Sequence, residues 1–307
     1  MFERDNRDRF YAEIVQKTTQ YIDLGLWSGI ELNKFDRWIG QYKSNDEKIL
    51  AALILESLVY RSKEHLSALI EHAIYKSIPQ ALFEYSGDEA EFRNIERVCN
   101  YGKNLPHEIA IVPVIRDADP PTKSGPLVAR LFKRLGKVND KLMYWPWQIS
   151  SLKDISTIIF VDDFVGTGNQ FIKFINNHVV KNVDLSKFKV VYCPLTATEV
   201  GLNNISKTMP EIILCPIELV SDSHNFFIFC AKNFAMTDDE LTKLNEVYFS
   251  YLKKVKLDRL GRKTVDGDMS LGYGSLALTY AYEHATPNAS LPLLWANSDN
   301  YMSLFER

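Results

Sequence analysis

Two adjacent carboxylates, Asp162 and Asp163, close the apolar run Thr157-Ile158-Ile159-Phe160-Val161 and are followed by Phe164-Val165-Gly166-Thr167-Gly168-Asn169-Gln170. The run has the length and β-branched content of a buried strand, and Phe171-Ile172-Lys173-Phe174-Ile175 resumes at helical spacing. The small-residue stretch is therefore a turn between strand and helix. Backbone N–H groups at a helix start attract an anion, and carboxylates accept hydrogen bonds from vicinal hydroxyls. Anion donors beside hydroxyl acceptors describe a site for a ribose 5-phosphate.

An apolar strand ending in two acids also resembles the Walker B segment of nucleotide hydrolases. That reading requires a G-x-x-x-x-G-K-[ST] loop upstream, and the sequence has none. The plain alternative is a parallel strand and helix joined by an Asp-rich turn with no ligand at all.

Hydrophobic run, Asp-Asp, three residues and Thr-Gly together resemble the phosphoribosyl diphosphate (PRPP) signature of type I phosphoribosyltransferases. The resemblance implies that Asp162 and Asp163, the catalytic candidates, contact the ribose hydroxyls. It implies that Val165, Gly166, Thr167, Gly168, Asn169 and Gln170 line the 5-phosphate. The signature usually ends in Thr or Ser where this chain has Gln170, so an amide replaces a hydroxyl donor. Purine-salvage members often place an Asp where Gly166 stands, and its absence disfavours that base-assisted reaction.

The first-strand loop, Arg116-Asp117-Ala118-Asp119-Pro120-Pro121-Thr122-Lys123-Ser124-Gly125, also leads into a helix. Lys123, Ser124 and Gly125 look like the family's pyrophosphate loop, although Ser and Gly are also ordinary residues at a helix start. The resemblance implies Mg2+ as cofactor, reached by Asp162 and Asp163 through ribose or water. Asp117 and Asp119 could hold waters on the same ion, or simply shape the turn. Gly136 to Gln148 lies where the family carries a loop that closes over substrate. Lys137 or Lys141 could there offset departing pyrophosphate charge, while Trp145 and Trp147 could anchor the loop to the core.

Near the end, Gly272-Tyr273-Gly274 and a strand precede His284-Ala285-Thr286-Pro287-Asn288 and Leu291-Pro292-Leu293-Leu294-Trp295. This resembles the C-terminus of phosphoribosyltransferase-like effectors of prokaryotic conflict and antiphage defence loci, which also carry a helical N-terminal region. His284 and Asn288 are candidates to read an acceptor's edge, or belong to an ordinary turn.

The chain has 307 residues, 46% hydrophobic and 24% charged, with a formal net charge of -3. That excludes a general attraction to nucleic acid or anionic membrane. Arg130, Lys133, Arg134 and Lys137 could make a local basic patch, or form a solvated helix face. Cys99, Cys193, Cys215 and Cys230 form no C-x-x-C pair, two of them falling in expected strands, which suits a reducing compartment. The opening residues lack an apolar h-region and no run reaches membrane-spanning length, so the expectation is a cytoplasmic protein without membrane contact.

Residues 1–85 show helical periodicity and are expected to form an all-helical unit of about four helices. Ser44-x-x-Glu47 forms a capping box before Ile49, Leu50, Leu53, Ile54, Leu58 and Val59. A second run, Leu66, Leu69, Ile70, Ala73 and Ile74, is expected to stop at Pro79. His65 and His72, seven apart, are surface or packing residues rather than a metal pair. Residues 86–108 read as a connection.

From 109 to 307 strands and helices alternate, and the fold class is α/β with a mostly parallel sheet of the phosphoribosyltransferase type. Strands are expected at 109–115, 157–161, 189–195 and 212–220. Helices are expected at 126–135, 169–180 and through much of 225–254. Ligands of such sheets sit at the carboxyl ends of the strands, where the acidic pair falls.

Three functions fit. The first is a magnesium-dependent transferase passing phosphoribosyl from PRPP to an unidentified acceptor, acting in defence. The second is a catalytically silent PRPP or nucleotide sensor that signals to a protein partner through the helical region. The third is a housekeeping nucleobase salvage enzyme. Nucleic acid enters only as acceptor or through a partner, and oligomerisation stays open.

Overall fold

The computed structural model describes residues 4–88, 108–116, 118–120, 123–152, 154–258, 260 and 269–305. The chain forms two compact units, Met1–Glu64 with Ser221–Arg307, and His65–Val220. The division expected from sequence pattern, at residues 85 and 108, instead follows the point where helical periodicity gives way to alternation. Most of the expected connection, and with it Cys99, lies outside the described residues.

The first unit holds helices α1 (Arg4–Asp23), α2 (Leu32–Ile39) and α3 (Asn45–Ser57). The expected capping box closes α3: Glu47 N–H donates to Ser44 Oγ, and the Ser44 N–H donates to Glu47 Oε2. Ile49 to Leu55 and Ser57 of α3 are buried, in one core with Phe35, Trp38, Tyr248, Tyr251 and Leu252. A polar seam pins this core: Trp38 Nε1 donates to the Tyr301 hydroxyl at 2.6 Å, and that hydroxyl donates to the Leu293 carbonyl.

Two expectations for the N-terminal region change. Residues 1–85 are not wholly helical, because α3 ends at Ser57 and Val59–Arg61 forms strand β1, paired in parallel with Tyr280–Tyr282. The apolar run reaches Val59, but β-branched Val59 pairs with a strand more than 200 residues away, which local periodicity cannot register. The second correction concerns Pro79. Helix α4 (Lys63–His72) passes through a π turn at Ala73–Ser77 into α5 (Ile78–Ser86). The wide turn bonds Ile78 N–H to the Ala73 carbonyl and so accommodates the proline ring that would break a regular helix. His65 and His72 are exposed on α4, as expected.

The second unit is built on a parallel sheet. Strands β2 (Ile109–Pro113), β3 (Thr157–Val165), β4 (Lys189–Thr198) and β5 (Ile213–Leu214) lie in that order, and β6 (Glu218–Val220) also pairs β4. The single strand expected over 212–220 is thus two short ones, and Cys215 falls just after β5 rather than inside a strand. Strands β3 and β4 run longer than expected, carrying Asp162, Asp163 and Thr196 to Thr198 within the ladder. Ile158, Phe160, Val190 and Tyr192 face Phe171, Phe174 and Ile175 from α7 (Asn169–Phe174) and its π continuation Ile175–Val179. The helix after β2, α6 (Ser124–Gly136), packs on β2 and β3 from the other face.

In the first unit two helices, α9 (Phe226–Asn233) and α10 (Asp238–Lys254), follow, and β7 (Tyr280–Tyr282) precedes the short α11 (Pro292–Trp295). No helix among the described residues is long and apolar enough to cross a membrane.

The N-terminal cap yields the first prediction. Ser44→Ala should lower stability by about 1 kcal/mol, read as a shifted denaturation midpoint, because it strips the acceptor from the Glu47 N–H.

Candidate active site

Because β2, β3 and β4 are parallel, the loops that follow them gather at one edge of the sheet. The helix after β2 covers one face and the helix after β3 covers the other, so the two strand ends part into a crevice. In open α/β sheets such a crevice is where ligands bind. The acidic pair lies in the last half of β3, beside it.

Successive residues of a strand point to opposite faces, and the pair obeys this. Asp162 turns toward α7: its Oδ2 accepts from the Tyr192 hydroxyl at 3.2 Å, and its Oδ1 from the Asp163 N–H at 3.0 Å. Asp163 turns toward α6: its Oδ1 accepts from Ser124 Oγ and from the Phe164 N–H, both at 2.8 Å. Asp162 is 5% and Asp163 9% exposed. Burial, reinforced by the neighbouring Asp163 carboxylate, holds the Asp162 carboxyl well above the usual range.

The turn after β3 is fixed from behind. Thr198, at the end of β4, caps helix α8 (Glu199–Thr208) by accepting from the Gly201 N–H, and its Oγ1 donates to the Gly166 carbonyl at 2.6 Å. Asn204, one turn further, donates to the Thr167 carbonyl at 2.7 Å and to Asn169 Oδ1 at 3.0 Å. Gly168 has φ +77° and ends the turn as the N-cap of α7. A Cβ on Gly201 would lie 2.2 Å from the Gly166 carbonyl, and one on Gly168 would lie 2.7 Å from the Gly201 carbonyl. Only glycine permits this approach. With two carbonyls held by α8, the turn offers its amides, and the first N–H groups of α7 have no intrahelical acceptors.

The expected pyrophosphate residues sit on the other wall. Lys123 is exposed at the N-cap of α6 and Ser124 bonds Asp163. A Cβ on Gly125 would lie 2.7 Å from the Val114 carbonyl, so the helix start is pressed onto the end of β2. Asp119 accepts from the Arg116 backbone N–H at 3.0 Å and from its guanidinium, and that guanidinium holds its carboxyl below the usual range. Asp117 lies outside the described residues. Among those described, no three His, Cys, Asp or Glu side chains group as a metal site.

The tryptophans do not anchor their loop. Leu142, Pro146 and Ile149 are buried, whereas Trp145 and Trp147 are 42% and 52% exposed and stack on each other. Lys137 and Lys141 are exposed. His284 and Asn288 belong to the first unit, on the turn after β7. His284 stacks on Tyr282 with ring centroids 4.9 Å apart, the Asn288 carbonyl accepts from the Tyr273 N–H, and buried Thr286 Oγ1 between them has no hydrogen-bond partner among the described residues.

Sequence reading did not single out Tyr192, Thr198, Gly201 or Asn204. Gly201 carried a usable signal, because glycine in a helix is unfavourable by about 1 kcal/mol relative to alanine and marks a close approach. Thr198 ahead of Glu199 is likewise a capping residue.

Two outcomes follow from this geometry. Gly201→Ala should cost about 1–3 kcal/mol in denaturation, since backbone rather than a flexible side chain must move. The raised Asp162 carboxyl binds its proton more tightly folded than unfolded. The stability this confers is complete below the ordinary aspartate value, about 4, and is lost as pH rises through the higher folded value. Asp162→Asn should therefore lose less stability than the wild type as pH rises above the ordinary aspartate value, read from denaturant midpoints.

No curated protein matches the chain. The family model PRTase-CE matches residues 35–307, most of the chain, including the acidic pair, the turn and both flanking helices. The chain belongs to this phosphoribosyltransferase-like family, whose membership points, at a coarse level, to phosphoribosyl transfer and the transferase class.

Proposed function

We infer that the crevice binds PRPP and that the protein transfers phosphoribosyl from it to an acceptor with release of pyrophosphate. The observation that carries this reading is the turn Gly166–Gly168, its carbonyls held by Thr198 and Asn204, beside the acidic pair. Val165 to Gln170 take the 5-phosphate on backbone amides. Asp162 and Asp163 take the ribose hydroxyls, each carboxylate having lone pairs beyond those already engaged. Lys123, Ser124 and Gly125 face the pyrophosphate.

In the reaction the bond from the anomeric carbon to pyrophosphate oxygen breaks, pyrophosphate leaves with the electron pair, and the acceptor's lone pair forms the new bond as its proton is lost. The transition state is oxocarbenium-like, so positioning and charge stabilisation suffice without a protein nucleophile. Magnesium suits the oxygen-rich, mutually repelling pair, which would hold it through ribose or water, and the ion would offset the negative charge of the departing pyrophosphate.

The wider role we assign is that of an effector in antiphage defence, on the resemblance of the helical region and the His284 to Trp295 segment. His284 and Asn288 are retained as candidates for acceptor recognition. A second reading, a PRPP sensor without turnover, draws on both Asp162 oxygens already accepting internal bonds and on Gln170 in place of a hydroxyl.

Pyrophosphate release from PRPP with magnesium separates the readings. The transferase should release pyrophosphate with a suitable nucleobase or nucleic-acid acceptor. Asp162→Asn with Asp163→Asn should reduce release by at least about a hundredfold, the scale of losing preorganised binding at the reacting group. PRPP binding with no release across nucleobase and nucleic-acid acceptors would sink the transferase and leave the sensor. For the defence role, expression should be toxic in the wild type and harmless in the double variant. Rescue of a base-salvage mutant would point to housekeeping instead.

A further inference from the structure

The loop between α6 and β3 places two exposed indoles where no structural need explains them. Trp145 and Trp147 stack with ring planes 7° apart and centroids 5.2 Å apart. Burial of the loop is accomplished by Leu142, Pro146 and Ile149, so the indoles are not its anchor. The other tryptophans, Trp27, Trp38 and Trp295, are all buried.

Their position in the sheet is defined. Met143 bridges Ile111 in parallel, and the Tyr144 N–H donates to the Ile111 carbonyl at 3.0 Å. The segment thus runs alongside β2 in the same direction, and Trp145 falls level with Pro113. Pro113 pairs with Val161, one residue before the acidic pair. The backbone at Trp145 therefore lies one residue short of the level of the acidic pair and two strand spacings, about 10 Å, from β3, and the 3-10 turn Pro146–Ser151 that carries Trp147 packs against Ile175–Val179.

The adjoining chain is basic. Residues 130–148 hold Arg130, Lys133, Arg134, Lys137 and Lys141 against the single acid Asp140, in a chain whose net charge is -3. Lys133 and Arg134 suit the last turn of α6 on dipole grounds, and Lys133 pairs with Asp140. Lys137 follows the helix in the left-handed region and Lys141 precedes the indoles, both exposed, so neither is explained that way.

We propose that Trp145 and Trp147 form a stacking platform for the unpaired bases of a single-stranded nucleic acid, whose phosphates run along Lys137, Lys141 and the exposed Arg130 and Arg134. Aromatic faces plus a basic track are the two elements that single-strand recognition requires, and a base stacks on an indole whatever its identity. A duplex hides its base faces and cannot use the platform. A free nucleotide offers one phosphate group where a strand offers several. The strand would lie at the same sheet edge as the acidic pair, yet its binding requires neither PRPP nor turnover.

The test is anisotropy of a labelled single strand of mixed sequence, about 12 nucleotides long and so within the reach of one such groove, with the full chain at low salt and without PRPP. Wild type should bind it, with the matching duplex and a mononucleotide competing poorly. Trp145→Ala with Trp147→Ala should weaken binding about tenfold or more, while Trp145→Phe with Trp147→Phe restores most of it. Lys137→Ala with Lys141→Ala should flatten the dependence of log K on log salt by about 0.7 per lysine. Absence of binding, equal binding of duplex, full competition by the mononucleotide, or indifference to the alanine pair would each overturn the proposal. So would a protein ligand that requires the indoles while the strand does not. Failure of pyrophosphate release would leave these results untouched, because transfer does not enter the assay.

Discussion

Gly166 and Gly201 meet where no side chain can stand, and the rest of the site depends on that contact. A Cβ on Gly201 would collide with the Gly166 carbonyl at 2.2 Å. Because the backbones touch, Thr198 and Asn204 can reach the two carbonyls of the turn and hold them toward α8. A peptide whose carbonyl is fixed on one side has its next amide fixed on the other. The outward presentation of the turn's amides is therefore imposed by the following strand and helix rather than by its own composition.

The acidic pair is subject to a second constraint. Continuation of β3 through Val165 keeps both carboxylates in the ladder, facing opposite sides, each with a different partner. Asp162 is tied to Tyr192, whose ring stacks on Phe171 of α7, and Asp163 to Ser124 at the start of α6. The two walls of the crevice thus meet through the acids, and burial of two like charges favours protonation of Asp162. A ligand bringing hydroxyl donors, or a hard cation, would relieve that repulsion.

Much of this was legible in the sequence because it is local. The run Thr157 to Val161, the acids and the small-residue turn announce strand, edge and helix start by composition alone, and the α3 capping box is a four-residue pattern. Contacts between distant residues were not legible. β1 pairs with β7 across more than 200 positions, Tyr192 reaches Asp162 across a ladder, and Ser124 closes on Asp163 rather than standing by the Lys123 side chain alone. Pro79 misled for a different reason: a π turn absorbs the clash that usually ends a helix, and nothing local marks one. The tryptophans were ambiguous because aromatic residues in a loop read equally as anchor or as surface until burial is known.

A crystal structure of the protein soaked with ribose 5-phosphate would show directly whether the turn held by Thr198 and Asn204 is an anion site. The phosphate should lie within hydrogen-bond distance of the backbone amides of Gly166 to Gln170, with the ribose hydroxyls on Asp162 or Asp163. Phosphate bound elsewhere, with the turn empty and Asp162 still closed on Tyr192, would contradict that assignment.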